Sequence, residues 1–177
     1  MRTAVHIVQA DERVTPAADP DHNLTHIRET LIDQAPVRPQ NLRPMPVESS
    51  DLAEAAREYA GALAVMAGTP PEIDLVHLEL GPDGHAASLV PGDPVNQVTD
   101  RDVALTGVYQ GRCRMTLTYP AINRARRVLW LVTGAEKAEM LARLWKADAS
   151  IPAGCVRQKR RDRGESCGGR QSVSAAS

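Results

Sequence analysis

The sequence predicts an α/β fold with a largely parallel sheet. Two observations carry this prediction. Apolar segments of strand length alternate along the chain with segments whose apolar residues recur at helical spacing. In addition, the apolar run over residues 127–132 is continuous, which is typical of a parallel strand buried on both faces.

Composition sets the class of protein. The chain has 177 residues, enough for one domain with a core, and its 42% hydrophobic and 24% charged content is that of a soluble globular protein. A formal net charge of -1 argues against a nucleic-acid partner. No run approaches the ~20 apolar residues of a membrane span, and the first residues lack the apolar stretch of a signal peptide. Cys113, Cys155 and Cys167 show no metal or disulfide spacing, which suits the cytoplasm.

The N-terminal part begins with a predicted strand. Residues 4–9, Ala-Val-His-Ile-Val-Gln, predict a buried strand that leads almost directly into Asp11-Glu12-Arg13. Apolar residues at helical spacing between Leu24 and Ile32 then predict a helix. Four prolines within residues 33–47 exclude one regular element there, although a short extended piece fits residues 42–47.

The strongest helix prediction follows. Asp51 is a candidate N-cap, and Glu54 three residues later is typical of a capping box. One apolar face continues to Gly68 and consists of Leu52, Ala56, Tyr59, Leu63 and Met66. Two prolines, Pro70 and Pro71, are predicted to end the helix.

The second half alternates again. Strands are predicted over residues 73–80, 103–105, 115–118 and 127–132, with a helical turn over residues 120–124. Thr133 and Glu136 have the spacing of a second capping box, which predicts a helix from there to about Trp145.

A glycine-rich turn after the strand at residues 73–80 is the candidate site. Gly81-Pro82-Asp83-Gly84 breaks the apolar run, and His85 and three small residues follow. This pattern predicts a strand, a tight turn and a short helix start, with the turn at the carboxyl end of a strand, where ligands bind in open α/β sheets. With an ordinary pKa of ~6.5, a histidine there can accept a proton near neutral pH. The alternative is a histidine that merely caps the following helix.

The sequence GPDGHAASLVPG resembles the signature of the 6-phosphogluconolactonases. The related glucosamine-6-phosphate deaminases share Asp-Gly-His but continue differently, so Ala87-Ser88-Leu89 favours the lactonases. Further blocks at residues 11–14, 114–123 and 132–137 resemble the family in the same order. The resemblance extends from about Val5 to Arg157.

The resemblance implies a three-layer α/β/α fold of Rossmann-like type. It implies hydrolysis of 6-phospho-D-glucono-1,5-lactone to 6-phosphogluconate in the oxidative pentose phosphate pathway, without metal or cofactor and in the cytoplasm. His85 would be the general base that removes a proton from water. The alternatives are a related sugar-phosphate isomerase or deaminase, or a truncated inactive member of the family.

The expected site divides into a base and a set of substrate contacts. Asp83 is expected either to orient the imidazole of His85 or only to form an Asx turn. Backbone N–H groups over residues 84–86, at a helix start, are expected to receive the negative charge that develops on the carbonyl oxygen. The resemblance assigns substrate binding to Asp11, Arg13, Gly81, Gly84, Arg114 and Lys137. The arginine fork suits a phosphate dianion, although each arginine has a salt bridge, and Lys137 a solvent-facing position, as the alternative.

Departures from the family pattern lie at four places. Glu79 stands where the family has a glycine, and residues 107–111 replace a usual Ser-Pro-Lys-Pro. The family also carries about one more supersecondary unit before the first strand, so residues 1–156 are expected to form a partial domain, incomplete on its N-terminal side. Residues 157–177, basic and rich in Gly and Ser, are expected to be a disordered tail from a shifted reading frame, solvated rather than bound to nucleic acid.

Overall fold

A computed structural model describes residues 5–16, 19–35 and 37–157 and confirms the α/β class. Its strands are β1 (Ile7–Val8), β2 (Asp11–Arg13), β3 (Leu42–Arg43), β4 (Val76–Glu79), β5 (Val103–Leu105), β6 (Arg114–Leu117) and β7 (Val128–Leu131). Its α-helices are α1 (Asn23–Ile27), α2 (Leu52–Ala67), α3 (Tyr119–Arg124) and α4 (Ala138–Trp145). A π-helical turn over Arg28–Ile32 continues α1, so the helix predicted between Leu24 and Ile32 forms in two parts.

Both parallel and antiparallel pairings occur. Strand β1 pairs parallel with β3, and β4 pairs parallel with β7. The other sheet is antiparallel, with β6 between β2 and β5. The connection from β5 to β6 contains only residues 106–113, too few for the dozen or more residues of a parallel crossover, so these two strands form a hairpin.

Helix α2 forms where the sequence predicts it. The Asp51 carboxylate accepts a hydrogen bond from the Glu54 backbone N–H at 2.9 Å, which satisfies a free donor of the first turn. On the buried face, the Tyr59 hydroxyl accepts from the Gln9 N–H at 2.8 Å and donates to the Gln9 carbonyl at 3.0 Å. The helix is thereby tied to the segment between β1 and β2, which leads into the site.

Two details differ from the sequence prediction. Strand β7 is not buried on both faces, because Leu129 and Leu131 are 51% and 56% exposed while the alternate residues of the strand pack toward the core. Helix α4 begins only at Ala138, without a side-chain cap. The capping-box prediction is wrong there because Gly134, at φ 98°, leads into a 3-10 turn over residues 135–137.

The described part of the chain contains no helix long and apolar enough to cross a bilayer. Arg157 is the last residue that the structure describes, and its backbone N–H donates to the Asn123 side chain. The predicted tail therefore lies outside the described residues apart from Arg157 itself, and the predicted domain boundary stays a prediction.

Candidate active site

The loop between β4 and Leu89, which we call the histidine loop (residues 80–89), closes on itself. Leu80 bridges Ala86 in antiparallel fashion, and the Gly81 N–H donates to the His85 carbonyl at 2.9 Å. Leu80, Ala86 and Leu89 are fully buried. These anchors hold His85 at the carboxyl end of β4, as the sequence predicts.

Two glycines give this loop its shape. A Cβ on Gly81 would lie 2.1 Å from His85 Nδ1, so the imidazole rests directly against the glycine backbone. Gly84 has φ +85°, and a Cβ there would lie 2.8 Å from the Cβ of Ile151. Of the two glycines in the predicted substrate-binding set, Gly81 thus leaves room for the His85 ring and Gly84 leaves room for Ile151.

Asp83 makes the contacts of both alternatives considered for it, one with the imidazole and one with the backbone of His85. Its Oδ1 lies 2.6 Å from His85 Nδ1 and also accepts the His85 backbone N–H at 3.1 Å, which is an Asx turn. Because an ionised carboxylate can only accept, Nδ1 carries a proton, and in the neutral imidazole Nε2 is then the nitrogen with the lone pair. No described residue hydrogen-bonds Nε2, and the imidazole is partly exposed. His85 is therefore arranged to accept a proton at Nε2.

Tyr109 contacts the second oxygen of the Asp83 carboxylate. Its hydroxyl donates to Asp83 Oδ2 at 2.8 Å. Burial works against ionisation of Asp83, but the hydrogen bonds from the His85 backbone, from Tyr109 and from the imidazole together hold the pKa of Asp83 below its ordinary value. Asp83 is thus a carboxylate at neutral pH. No role for Tyr109 was predicted from the sequence, because its contact with Asp83 spans 26 residues.

The expected oxyanion site on backbone N–H groups is wrong. The Gly84 N–H donates to the Gly81 carbonyl at 3.0 Å, the His85 N–H to Asp83, and the Ala86 N–H to the Leu89 carbonyl at 3.4 Å. No helix starts here, because the chain makes a tight turn between Ala86 and Leu89. Each of these three N–H groups therefore already has a partner that a developing negative charge would have to displace.

Strands β2 and β6 supply a charged face. Their register places Arg13 opposite Arg114 and Asp11 opposite Thr116. Directly opposed residues of an antiparallel pair project from the same face of the sheet, and like charges in that position destabilise it. A bound anion between the two guanidinium groups would relieve this repulsion. We call Asp11, Arg13, Arg114 and Thr116 the arginine face.

Arg114 retains an unused donor. The residue is 5% exposed, its guanidinium donates to Gln110 Oε1 at 3.1 Å, and its Cζ lies 4.9 Å from the centroid of the Tyr109 ring. Its Nε is buried and has no partner among the described residues. Burial, followed by repulsion from Arg13, lowers the pKa of Arg114. Because a buried N–H without an acceptor is costly, an anion bound here would gain a strong hydrogen bond.

Arg13 and Lys137 each contact groups of the chain itself. Arg13 donates to the Asn23 side chain and, at 2.8 Å, to the Asp21 carbonyl. Lys137 forms an ion pair with Glu79, the residue at the family's glycine position. The structure therefore brings Lys137 to the end of β4, beside the histidine loop, but paired with an acidic partner that the sequence analysis did not assign to it.

Ser88 joins the histidine loop to the arginine face. Its hydroxyl donates to Asp11 Oδ2 at 2.6 Å, and its backbone N–H donates to Thr116 Oγ1 at 3.2 Å. Burial raises the pKa of Asp11, opposed by the Ser88 hydrogen bond and by the charges of Arg13 and Arg114. The loop and the face thus form one continuous site. Within the described ranges, no group of three or more His, Cys, Asp or Glu side chains is arranged to hold a metal ion.

The family follows from comparison with known proteins. The family model of glucosamine-6-phosphate isomerases/6-phosphogluconolactonase matches residues 2–165. The chain belongs to this family, and the resemblance seen in the sequence is confirmed.

Individual relatives of the chain belong to the same family. The chain is 39% identical over 149 residues to the 6-phosphogluconolactonase of Synechocystis, covering 82% of this chain and 62% of that protein. It is 36% identical over 157 residues to the 6-phosphogluconolactonase of Streptomyces coelicolor, covering 81% and 59%. The crystal structure of 6-phosphogluconolactonase from Thermotoga maritima matches with a TM-score of 0.76 at 30% identity, covering 87% of this chain and 68% of that one. This confirms the Rossmann-like fold, and the chain spans about three fifths of the length of both curated relatives.

Proposed function

We propose that this chain hydrolyses 6-phospho-D-glucono-1,5-lactone to 6-phosphogluconate. One observation carries the proposal: a histidine–aspartate pair, whose Nε2 has no partner among the described residues, adjoins two directly opposed arginines. The proposed substrate has one group to match each of these features: an activated ester that the base can act on, and a phosphate dianion that the arginines can bind. The names of the relatives support this assignment.

The reaction needs one proton to move twice. His85 Nε2 removes a proton from a water molecule, whose oxygen attacks the lactone carbonyl carbon. The imidazolium that forms is stabilised by the Asp83 carboxylate at Nδ1. As the tetrahedral intermediate collapses, the bond to the ring oxygen breaks and that oxygen takes the proton from Nε2. General base catalysis of this kind contributes about 10²–10⁴-fold.

The arginine face binds the phosphate in this proposal. The buried Nε of Arg114 donates to a phosphate oxygen, and Arg13 approaches the same group from the opposite strand. Asp11 and Ser88 hold this face against the histidine loop. Lys137 stays a proposed substrate contact, and it would exchange Glu79 for the substrate on binding.

The test is lactone hydrolysis by the purified chain, measured above the spontaneous rate, beside His85→Gln. Glutamine keeps a polar side chain of similar size but cannot act as the base, so kcat/KM should fall by about 10²–10⁴-fold. Circular dichroism of both proteins serves as the control for folding. Equal rates in the two proteins would remove His85 from the mechanism.

A second substrate separates the branches of the family. Glucosamine 6-phosphate should not be turned over, because Ala87-Ser88-Leu89 departs from the deaminase sequence. Its turnover without lactone hydrolysis would replace the proposal, and no rate with either substrate would favour an inactive member of the family.

We also propose a cytoplasmic location for the reaction, which the three cysteines without disulfide spacing support.

A further inference from the structure

We propose that Tyr109 is a positioning residue that joins the two halves of the site. Its hydroxyl fixes the Asp83 carboxylate behind His85, and its ring supports the Arg114 guanidinium. Tyr109 lies in the segment that replaces the family's usual Ser-Pro-Lys-Pro. The kinetic part of this proposal rests on the proposed lactonase function, whereas the structural part does not.

The hairpin between β5 and β6 presents Tyr109 in a rigid turn. The Tyr109 N–H donates to the Arg112 carbonyl at 2.9 Å, and the Arg112 N–H donates back at 3.2 Å. The two residues between them, Gln110 and Gly111, have φ 51° and 78°. Two consecutive positive φ values define the type I′ turn, which matches the twist of hairpin strands.

Ion pairs fix the tip of this hairpin from outside. Arg112 contacts Asp19 Oδ2 at 2.7 Å and Asp21 Oδ2 at 3.1 Å. Behind the tip, the Thr106 N–H donates to the Arg114 carbonyl at 2.9 Å and continues the β5–β6 ladder. Tyr109 therefore does not depend on Asp83 for its position, and it can hold the carboxylate rather than be held by it.

The carboxylate of Asp83 is held at both oxygens. Oδ1 faces His85 Nδ1 at 2.6 Å, and Oδ2 accepts the Tyr109 hydroxyl at 2.8 Å. The Tyr109 and His85 rings meet edge to face, with centroids 5.8 Å apart. Burial, and then the bond to Asp83, raises the pKa of Tyr109, which keeps the phenol protonated as a donor.

The hydroxyl and the ring have separable consequences. Without the phenol donor, more negative charge remains at Asp83 Oδ1, which favours the imidazolium form of His85. Because the base must be neutral, the acid limb of the kcat/KM profile should move to higher pH. The ring contacts Arg114 through a cation–π interaction, so its loss should act on the phosphate contact and hence on KM.

Two variants and one control test this division. Tyr109→Phe removes only the hydroxyl, and we expect kcat to fall about tenfold and the acid limb to move up, with KM nearly unchanged. Tyr109→Leu also removes the ring, and we expect KM to rise a further three- to thirtyfold or so. Val108→Ala, in the same hairpin but 72% exposed, should change none of these values.

The outcomes that overturn the proposal are distinct. An unchanged kcat and pH profile in Tyr109→Phe removes the hydroxyl role, and an equal KM in the Phe and Leu variants removes the ring role. Should the wild-type chain hydrolyse no lactone, the lactonase proposal fails but the positioning proposal is still tested by ¹⁵N NMR. The ring-nitrogen resonances of His85, assigned with His85→Gln, must then shift in Tyr109→Phe and not in Val108→Ala, and their coincidence with wild type would refute it.

Discussion

The histidine loop and the arginine face are built in opposite ways. The loop is made of residues close in sequence, and hydrogen bonds between its own members satisfy the N–H groups of Gly81, Gly84, His85 and Ala86. The arginine face brings Arg13 and Arg114 together from strands about 100 residues apart, with like charges opposed and one buried donor unused. The four N–H groups of the loop are satisfied without a ligand, whereas the buried Nε of Arg114 would gain an acceptor from a bound anion. Chemistry is thus assigned to the self-contained region and substrate binding to the unsatisfied one.

The largest expected effect tests the loop at Asp83. Asp83→Asn replaces the carboxylate behind the imidazole with a neutral amide, so the imidazolium formed by proton transfer loses its charged partner and kcat should fall about 10³-fold. In the wild type, the lowered pKa of Asp83 stabilises the fold above about pH 4, and this contribution is lost as the pH falls through the native value. The difference in thermal midpoint between the two proteins should therefore be largest near neutral pH and shrink in acid. A difference independent of pH would contradict this account.

The next effect tests the glycine beneath the imidazole. Gly81→Ala places a methyl group where the His85 ring now lies, so the ring must move. A displacement of about 1 Å costs about 100-fold in rate, and we expect kcat/KM to fall by that factor.

Gly61→Ala is the matched control for this substitution. Gly61 lies inside α2 with nothing within 4 Å of an added Cβ. Alanine there should raise the free energy of unfolding by about 0.5–1 kcal/mol and leave kcat/KM unchanged. Equal kinetics in both variants would show that Gly81 does not position the base.

The smallest expected effect is a change in KM at the Glu79–Lys137 ion pair, beside the histidine loop. Glu79→Gln removes the acidic partner of Lys137 without changing the size of the side chain. If Lys137 binds the substrate, KM should fall by roughly two- to fivefold, because an ion pair whose acidic partner is well exposed contributes only about 0.2–1 kcal/mol. Lys137→Met in the same background should cancel the gain. An unchanged KM in Glu79→Gln would remove Lys137 from the proposed substrate contacts.

The contrast also explains how far the sequence could predict the site. Adjacent residues specify the histidine loop, so its strand, its turn and the approach of Asp83 to His85 were within reach of pattern and resemblance. The prediction that a helix starts after His85 was wrong. Small residues there also permit a tight turn, and the chain instead forms a bridge from Leu80 to Ala86 and a turn to Leu89. Tyr109 carried no signal, and Ser88 belonged to the family signature without an assigned contact, because their partners lie 26 and 77 residues away.

The same holds for the fold. Helix α2 was predictable because its cap and apolar face are both local. The Asp51 N-cap forms as expected, although the Glu54 carboxylate pairs with Arg57 rather than with the Asp51 N–H. The antiparallel pairing of β2 with β6 is not local, and it is this pairing that places Arg13 opposite Arg114. The resemblance identified both arginines. That they lie directly opposite each other, which is the physical argument for a bound anion, could be known only from the register of the sheet.

The most direct test of this division is a comparison of two substrates, 6-phospho-D-glucono-1,5-lactone and the unphosphorylated lactone. We expect His85→Gln to lower kcat/KM for both by the same factor. Arg114→Gln should lower it by about 10- to 100-fold for the phosphorylated lactone and leave the other nearly unchanged, because only one substrate carries the anion. An Arg114 variant that loses both activities equally would contradict the assignment of chemistry to the histidine loop and of phosphate binding to the arginine face.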